Sequence, residues 1–323
     1  MPTFSRRSLL RAAALAPLAA TMLGGGAKAA RQRALVIQAS GARPPQDALD
    51  AFTARSGIMV ELAPANAMSA DLMVVPHDSA LLQRPGALRG SPRGALPLDA
   101  LAPGLAALAA PRGGDVVWHP AGWSAQGIAW RADRWTPWGA PSYADLWDGR
   151  AACGDARALL LGAGLHLEAT GALAPGALWA AHGDDAAAAR VWARIAAWCA
   201  PRAAALRTGG GAAGALEGGA ASAALTDAAS AAQAARAGAP VGFAAPAEGA
   251  IARMWGFAIP AQAARHDGAA AFMSFMMERD GGMADWTGGA SMGPDALAAL
   301  HPLPAETPSH AALRRAVAAQ VFG

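Results

Sequence analysis

Trp118-His119-Pro120-Ala121-Gly122-Trp123, leading into Gly127-Ile128-Ala129-Trp130-Arg131-Ala132-Asp133, reads as one long extended stretch. Its three tryptophans and Ile128 suit a pleated, half-buried surface, and its proline and glycines interrupt any helical period. A second extended stretch, Gly249 to Ile259, lies far downstream. Each separates one set of alternating strand and helix signals from another, so the chain is expected to cross twice between two α/β lobes.

Upstream of the first crossing, Ala34 to Ala39 is a short apolar strand, Pro45 to Ser56 an amphipathic helix and Gly57 its stop. Ile58 to Leu62 reads as a second strand. The run Asp71-Leu72-Met73-Val74-Val75-Pro76 has the continuous apolar character of a parallel strand covered on both faces. Residues 85 to 114 are rich in Pro and Gly and read as connection, with a short helix near Leu101 to Ala109. Downstream, Ser142 is placed to cap a short helix whose Leu146 and Trp147 pack inward. A strand follows near Ala151 to Cys153, then helices around Ala156 to Leu167 and Ala186 to Ala200. A further helix is expected from Ala213 into Leu225, and another at Ala228 to Arg236 before the strand Pro240 to Phe243. Two helices, around Asp267 to Glu278 and His310 to Phe322, close the chain.

The N-terminus carries an address. Ser5-Arg6-Arg7-Ser8-Leu9-Leu10-Arg11 reads as the twin-arginine export signature, followed by the apolar run Ala12 to Leu23 and the small-residue site Ala27-Lys28-Ala29. Twelve apolar residues are too few to span a bilayer, and cleavage is expected after Ala29. Residues 1 to 29 hold Arg6, Arg7, Arg11 and Lys28 and no acid, so the chain beyond them has 22 basic and 23 acidic residues. No basic cluster remains to neutralise a run of phosphates, which argues against nucleic acid as a partner. Cys153 and Cys199 have neither a CxxC partner nor metal-ligand spacing. Both a disulfide and two packed thiols remain open.

The order of several segments resembles the periplasmic solute-binding proteins of ABC importers, most nearly the spermidine/putrescine-binding type. The segments are Ala237-Gly238-Ala239-Pro240, Pro246-Ala247-Glu248-Gly249, Phe257-Ala258-Ile259-Pro260 and Asp267-Gly268-Ala269 with the helix after it. Asp71 to Pro76, Gly127 to Asp133, Ser142 to Trp147 and Leu216-Glu217-Gly218-Gly219 fit the same order. The resemblance implies an α/β, two-lobed type II "Venus flytrap" fold with two crossover strands. Lobe 1 would be residues 30–125 plus 252–290, and lobe 2 residues 126–251 plus 291–323. It implies a periplasmic monomer that captures a small solute and delivers it to an inner-membrane permease with its ATPase, without catalytic group, cofactor or metal.

Ligand contacts would then fall in loops at the carboxyl ends of strands. Those loops are Ser40-Gly41-Ala42-Arg43, Pro76-His77-Asp78-Ser79, Gly154-Asp155, Thr226-Asp227 and Arg253-Met254-Trp255. The candidate contacts are Asp155, Asp227, Arg253 and Trp255, with Arg43 and Asp78 beside them. Polyamine recognition needs several carboxylates and aromatic faces. Here the first loop has neither, and Arg253 and Trp255 stand where the family has an aromatic and acidic pair. The ligand is therefore polyamine-like or a small zwitterion or anion gripped by guanidinium groups.

Two other classes stay open, an exported enzyme and a ligand-sensing receptor subunit with the same clamp. For the enzyme, Gly122-Trp123-Ser124-Ala125-Gln126-Gly127 has the wrong spacing for a nucleophile elbow. Gly209 to Gly214 fits a dinucleotide fingerprint but follows no clear strand signal.

Overall fold

Leu35, Ile37 and Ala39 alternate inward along the first strand, β1 (Leu35–Ala39), because a pleated strand sends every second side chain to one face. The computed structural model describes residues 34–39, 43–64, 69–92, 110–112, 115–147, 151–208, 211–279, 284–285, 300–303 and 306–323. The export segment, its cleavage site, the expected helix at 101–109, residues 40–42 and Gly209-Gly210 lie outside the described residues.

Helix α1 (Gln46–Ser56) buries Ala48, Leu49 and Phe52 and stops at Gly57, whose left-handed φ of 70° is the conformation glycine adopts without penalty. β2 (Val60–Ala63) and β3 (Leu72–Pro76) flank β1, both parallel to it. β4 (Asp115–Arg131) is 17 residues long. After it come β5 (Ala151–Cys153), β6 (Leu206–Thr208), β7 (Ala223–Asp227), β8 (Val241–Ala244), β9 (Ala250–Pro260) and β10 (Leu300–Pro302). The sheet path is β2-β1-β3-β9-β4-β7-β5-β6, with β8 on β4 and β10 on β9. The longer helices are α2 (Ala156–Ala169), α3 (Asp185–Cys199), α4 (Ala228–Arg236), α5 (His266–Arg279) and α6 (Pro308–Phe322).

β4 and β9 connect the two halves. The first part of β4 pairs antiparallel with β9, from His119↔Phe257 to Ile251↔Gln126. Its second part pairs with β7, from Gln126↔Asp227 to Trp130↔Ala223. β9 in turn lies against β3, from Trp255↔Pro76 to Ala258↔Met73. The register slips by a residue at Trp255/Gly256, where a Cβ on Gly256 would collide with the Trp118 ring and the His119 carbonyl.

Two large buried clusters lie on either side of these crossings. One draws on residues 35–125 and 250–277, with α1 and α5 meeting through Phe52 and Phe272, edge to face at 5.0 Å. Truncating either ring to alanine would cost about 3–5 kcal/mol. The other holds residues 128–225 with Ile251, Leu303, Val317 and Val321. Among the described residues no helix is long and apolar enough to cross a membrane.

The expected helix from Ala213 into Leu225 is corrected. Only Ala212–Glu217 is helical, and Ala223–Asp227 is the strand between β4 and β5. Alanine's helix propensity suggested otherwise, but burial of Ala223, Ala224 and Leu225 within the sheet overrides a preference worth tenths of a kcal/mol per residue. Ser142 does cap a single 3-10 turn, Tyr143–Leu146, and Leu146 and Trp147 are buried.

Candidate functional site

The carboxyl ends of β3, β5 and β7 and the middle of β4 and β9 converge where the two clusters meet. Cross-strand partners project to the same side of a sheet, so Arg253↔Ser124 and Ile251↔Gln126↔Asp227 share one face. Ser124 and Gln126 are the partly exposed positions in the otherwise buried run from Val116 to Ala129. Neither figured among the expected contacts. Their signal was present in the sequence, as polar residues at alternate positions of an apolar strand.

Asp155 and Asp227 both cap helices. Asp155 Oδ1 accepts from Arg157 N at 2.9 Å and Ala158 N at 3.4 Å, at the start of α2. Asp227 Oδ1 accepts from Ser230 N at 2.7 Å and Oδ2 from Ser230 Oγ at 3.2 Å, at the start of α4. Trp255 is 7% exposed, belongs to the first core cluster and donates its indole N–H to Ser124 Oγ at 3.3 Å. The Arg253 guanidinium lies 6.0 Å from the Trp255 ring centre. Arg43 is exposed beyond the end of β1.

Asp78 is placed differently, at the start of a line of alternating charge. Its Oδ2 accepts from Arg157 Nη1 at 2.5 Å and lies 3.7 Å from Arg253 Nη2. Arg157 Nε lies 3.2 Å from Glu306 Oε1. Glu306 is spanned by Arg314, with Nε to Oε1 at 2.7 Å and Nη2 to Oε2 at 3.1 Å. The side chains of Asp78, Arg157 and Glu306 are 7%, 11% and 9% exposed, so water screens little of this attraction. Asp78 follows β3 of the first cluster, whereas Arg157 opens α2 and Arg314 lies on α6 of the second. Asp78 Oδ1, Arg253 Nε and Gln126 Oε1 are buried without a hydrogen-bond partner among the described residues.

Sequence reasoning missed Arg157, Glu306 and Arg314. Arg157 left a trace, because a cation in the first turn of a helix faces the positive end of the dipole and needs a local partner. Nothing in the sequence paired Arg157 with Asp78, 79 positions away.

Behind Glu306, the rings of His182 and His310 stack at 4.1 Å, and one ligand atom from each of the three lies within 4.8 Å of the others. The set could approach a cation, but two of its three members are already engaged. Trp192 Nε1 donates to His310 Nε2 at 2.7 Å, and Arg314 takes both Glu306 oxygens. Burial, with the neighbouring His310, lowers the His182 pKa to about 4, so the pair is neutral near pH 7. His77, whose Nδ1 meets Leu303 O at 3.1 Å, is also lowered by burial.

Glu248, just before β9, fixes the returning crossing. It accepts from Ser142 Oγ and from Tyr143 N at 3.2 Å, while the Tyr143 hydroxyl accepts from Ile251 N at 3.1 Å. His166 Nδ1 lies 3.0 Å from Glu248 Oε1 and 3.4 Å from Ser142 Oγ. One ring nitrogen thus faces both groups. A nucleophilic relay needs serine on one nitrogen and carboxylate on the other, so this trio is a brace. Cys153 and Cys199 are free and buried, and burial pushes both thiols up to about 12.

A family model described as bacterial extracellular solute-binding protein matches residues 48–312. Among solved structures, the spermidine/putrescine ABC transporter substrate-binding protein PotD from Streptococcus pneumoniae aligns with a TM-score of 0.65 at 14% identity, covering 90% of this chain and 98% of that one. The periplasmic binding protein MotA from A. tumefaciens B6, in complex with glucopine, aligns at 0.62 and 14%, covering 90% and 99%. The Atu4243 GABA receptor aligns at 0.59 and 17%, covering 90% and 97%. At these identities the likeness is one of fold, that of the two-lobed periplasmic binding proteins. No curated protein matches the chain.

Proposed function

As the chain belongs to the bacterial extracellular solute-binding proteins, we propose that it is the substrate-binding component of an ABC importer, holding a small zwitterion or anion between its two halves. It would hand the solute to an inner-membrane permease with its ATPase. The lobes are residues 30–125 plus 252–290 and 126–251 plus 291–323, joined by β4 and β9. Export by the twin-arginine translocase, cleavage after Ala29, a periplasmic location, a monomeric state and the lack of enzymatic activity belong to the same reading.

One observation carries the solute class. An acceptor, Asp78 Oδ1, and a donor, Arg253 Nε, are both buried and unmatched beside each other at the junction. An unmade buried hydrogen bond costs about 1–3 kcal/mol, and a solute with an ammonium and a carboxylate would make both. Asp155, Asp227, Trp255 and Arg43 are proposed to line the same cleft. The GABA- and glucopine-binding relatives support this class. A second reading, a polyamine, is favoured by the spermidine/putrescine-binding neighbour.

Solute that binds only the native fold must raise its unfolding midpoint. A thermal-shift screen of residues 30–323 against amino acids, small carboxylates and polyamines separates the two readings. Stabilisation by a zwitterion or carboxylate supports the first, and stabilisation by putrescine or spermidine replaces it with the second. For a hit of the first kind, Arg253→Ala should weaken binding by about 1–3 kcal/mol, read by calorimetric titration. Unchanged affinity would remove Arg253 from the site.

A further inference from the structure

The sequence pattern marks Arg157 as misplaced for helix stability. It occupies the first turn of α2, directly after the cap residue Asp155 and Ala156, where the helix dipole repels a cation. Its guanidinium is nevertheless 11% exposed and lies between two carboxylates from distant segments, Asp78 after β3 and Glu306 before α6. The Glu306 partner is itself held by both arms of Arg314.

We infer that Arg157 is a positioning residue that ties the two halves of the clamp together across the cleft, so that the chain's own charges hold the closed arrangement before solute arrives. The tie is asymmetric. On its own side Arg157 is fixed by Glu306 and Arg314, which move with α2 as part of one packed cluster. On the other side its described partner is Asp78, through Oδ2. Rotation about β4 and β9 therefore breaks the Arg157–Asp78 pair, with the His77–Leu303 hydrogen bond near it, and leaves the Arg157–Glu306–Arg314 set intact.

The same tie sets what the cleft presents. Arg157 and Arg253 both face Asp78, so its carboxylate is not free to act as a lone anion for a cationic solute. A solute reaching Asp78 Oδ1 joins an existing pair instead of replacing it. Closure without solute also predicts slow association, because the binding-competent open form is a minor population.

The inference rests on the clamp reading, but its test contains no solute, so the two fail separately. Small-angle X-ray scattering is recorded on residues 30–323, dialysed free of solute, as wild type, Arg157→Gln, Arg157→Lys and Asp78→Asn. A compact chain of this length has a radius of gyration of about 19 Å. Arg157→Gln and Asp78→Asn should each raise it by on the order of 1 Å through opening of the hinge, and Arg157→Lys should restore part of the difference. A merely structural Arg157 would lower the unfolding midpoint without expanding the folded form. If Arg157→Gln does not fold, Asp78→Asn reads the same bond from the other side. Wild-type dimensions in every folded variant that lacks the pair would overturn the inference.

Discussion

Asp155 and Asp227 stand at the ends of adjacent strands, as Asp78 does, yet their carboxylates do different work. The first two turn back onto their own chain and satisfy helix N–H groups within three residues. Asp78 reaches across 79 residues to Arg157, and Glu306 likewise reaches back from before α6. A carboxylate at a strand end can serve local backbone geometry or long-range charge. The local kind is legible in sequence and replaceable by any good acceptor. The long-range kind is invisible in sequence and depends on ionisation at both ends.

The largest effect that distinction predicts is on Asp78. Asp78→Ala removes a described carboxylate partner from both Arg157, whose side chain is 11% exposed, and Arg253, whose side chain is 37% exposed. Removing one partner of a buried pair typically costs about 3–5 kcal/mol. Urea unfolding at pH 7 should show a loss at the lower end, about 3 kcal/mol, since the partly exposed Arg253 keeps contact with water. A loss under about 1 kcal/mol would class Asp78 with the surface pairs, such as Arg55–Glu278.

Acid separates another kind of buried polar group from both. His119, in β4 and 2% exposed, has a pKa lowered to about 4 by burial, against 6.5 for the unperturbed group. Between these values the unfolded chain binds a proton that the fold refuses, so stability rises with pH through this window. It is fully present above about pH 6.5 and falls as pH drops toward 4, by about 3 kcal/mol for the single imidazole. His119→Leu, which has no charge to bury, should flatten that part of the stability profile measured by urea unfolding at half-unit steps from pH 7 to 4. A slope equal to wild type would place the acid sensitivity elsewhere, with His182 the next group to replace.

Most of the frame was readable from the residues. β1, α1, Gly57, β3 and the two crossings announce themselves through alternation, an αL glycine and apolar runs, all local signals. Ala223–Asp227 was misread because alanine carries no β signal, and only its neighbours β4 and β5 make it a strand. The backbone placement of Asp78, Asp155, Asp227 and Arg253, at strand ends or on a crossing, was readable from the residues. Their partners were not. Arg157, Glu306 and Arg314 meet only after the chain folds, and Ser124 and Gln126 share a face with Arg253 and Asp227 only through the register of β4 with β9 and β7.

The smallest effect is the sharpest test of the comparison, because it separates the cap from the site at one residue. Asp155→Ala removes the acceptor for Arg157 N and Ala158 N, and loss of such a cap costs about 1 kcal/mol. Asp155→Asn keeps a side-chain oxygen in the same place and ranks with Asp as a cap, so stability should stay within a few tenths of a kcal/mol of wild type. The charge, however, is gone. If Asp155 only caps α2, both variants should bind the solute found by thermal shift as wild type does. If it also takes the solute's amine, Asp155→Asn should weaken binding by about 1–3 kcal/mol while the unfolding curve barely moves. Calorimetric titration beside urea unfolding of the same two proteins reads both quantities. A carboxylate whose neutral isostere is stable but binds poorly belongs to the cleft as well as to the helix, and the division between local and long-range acids would then fail at Asp155.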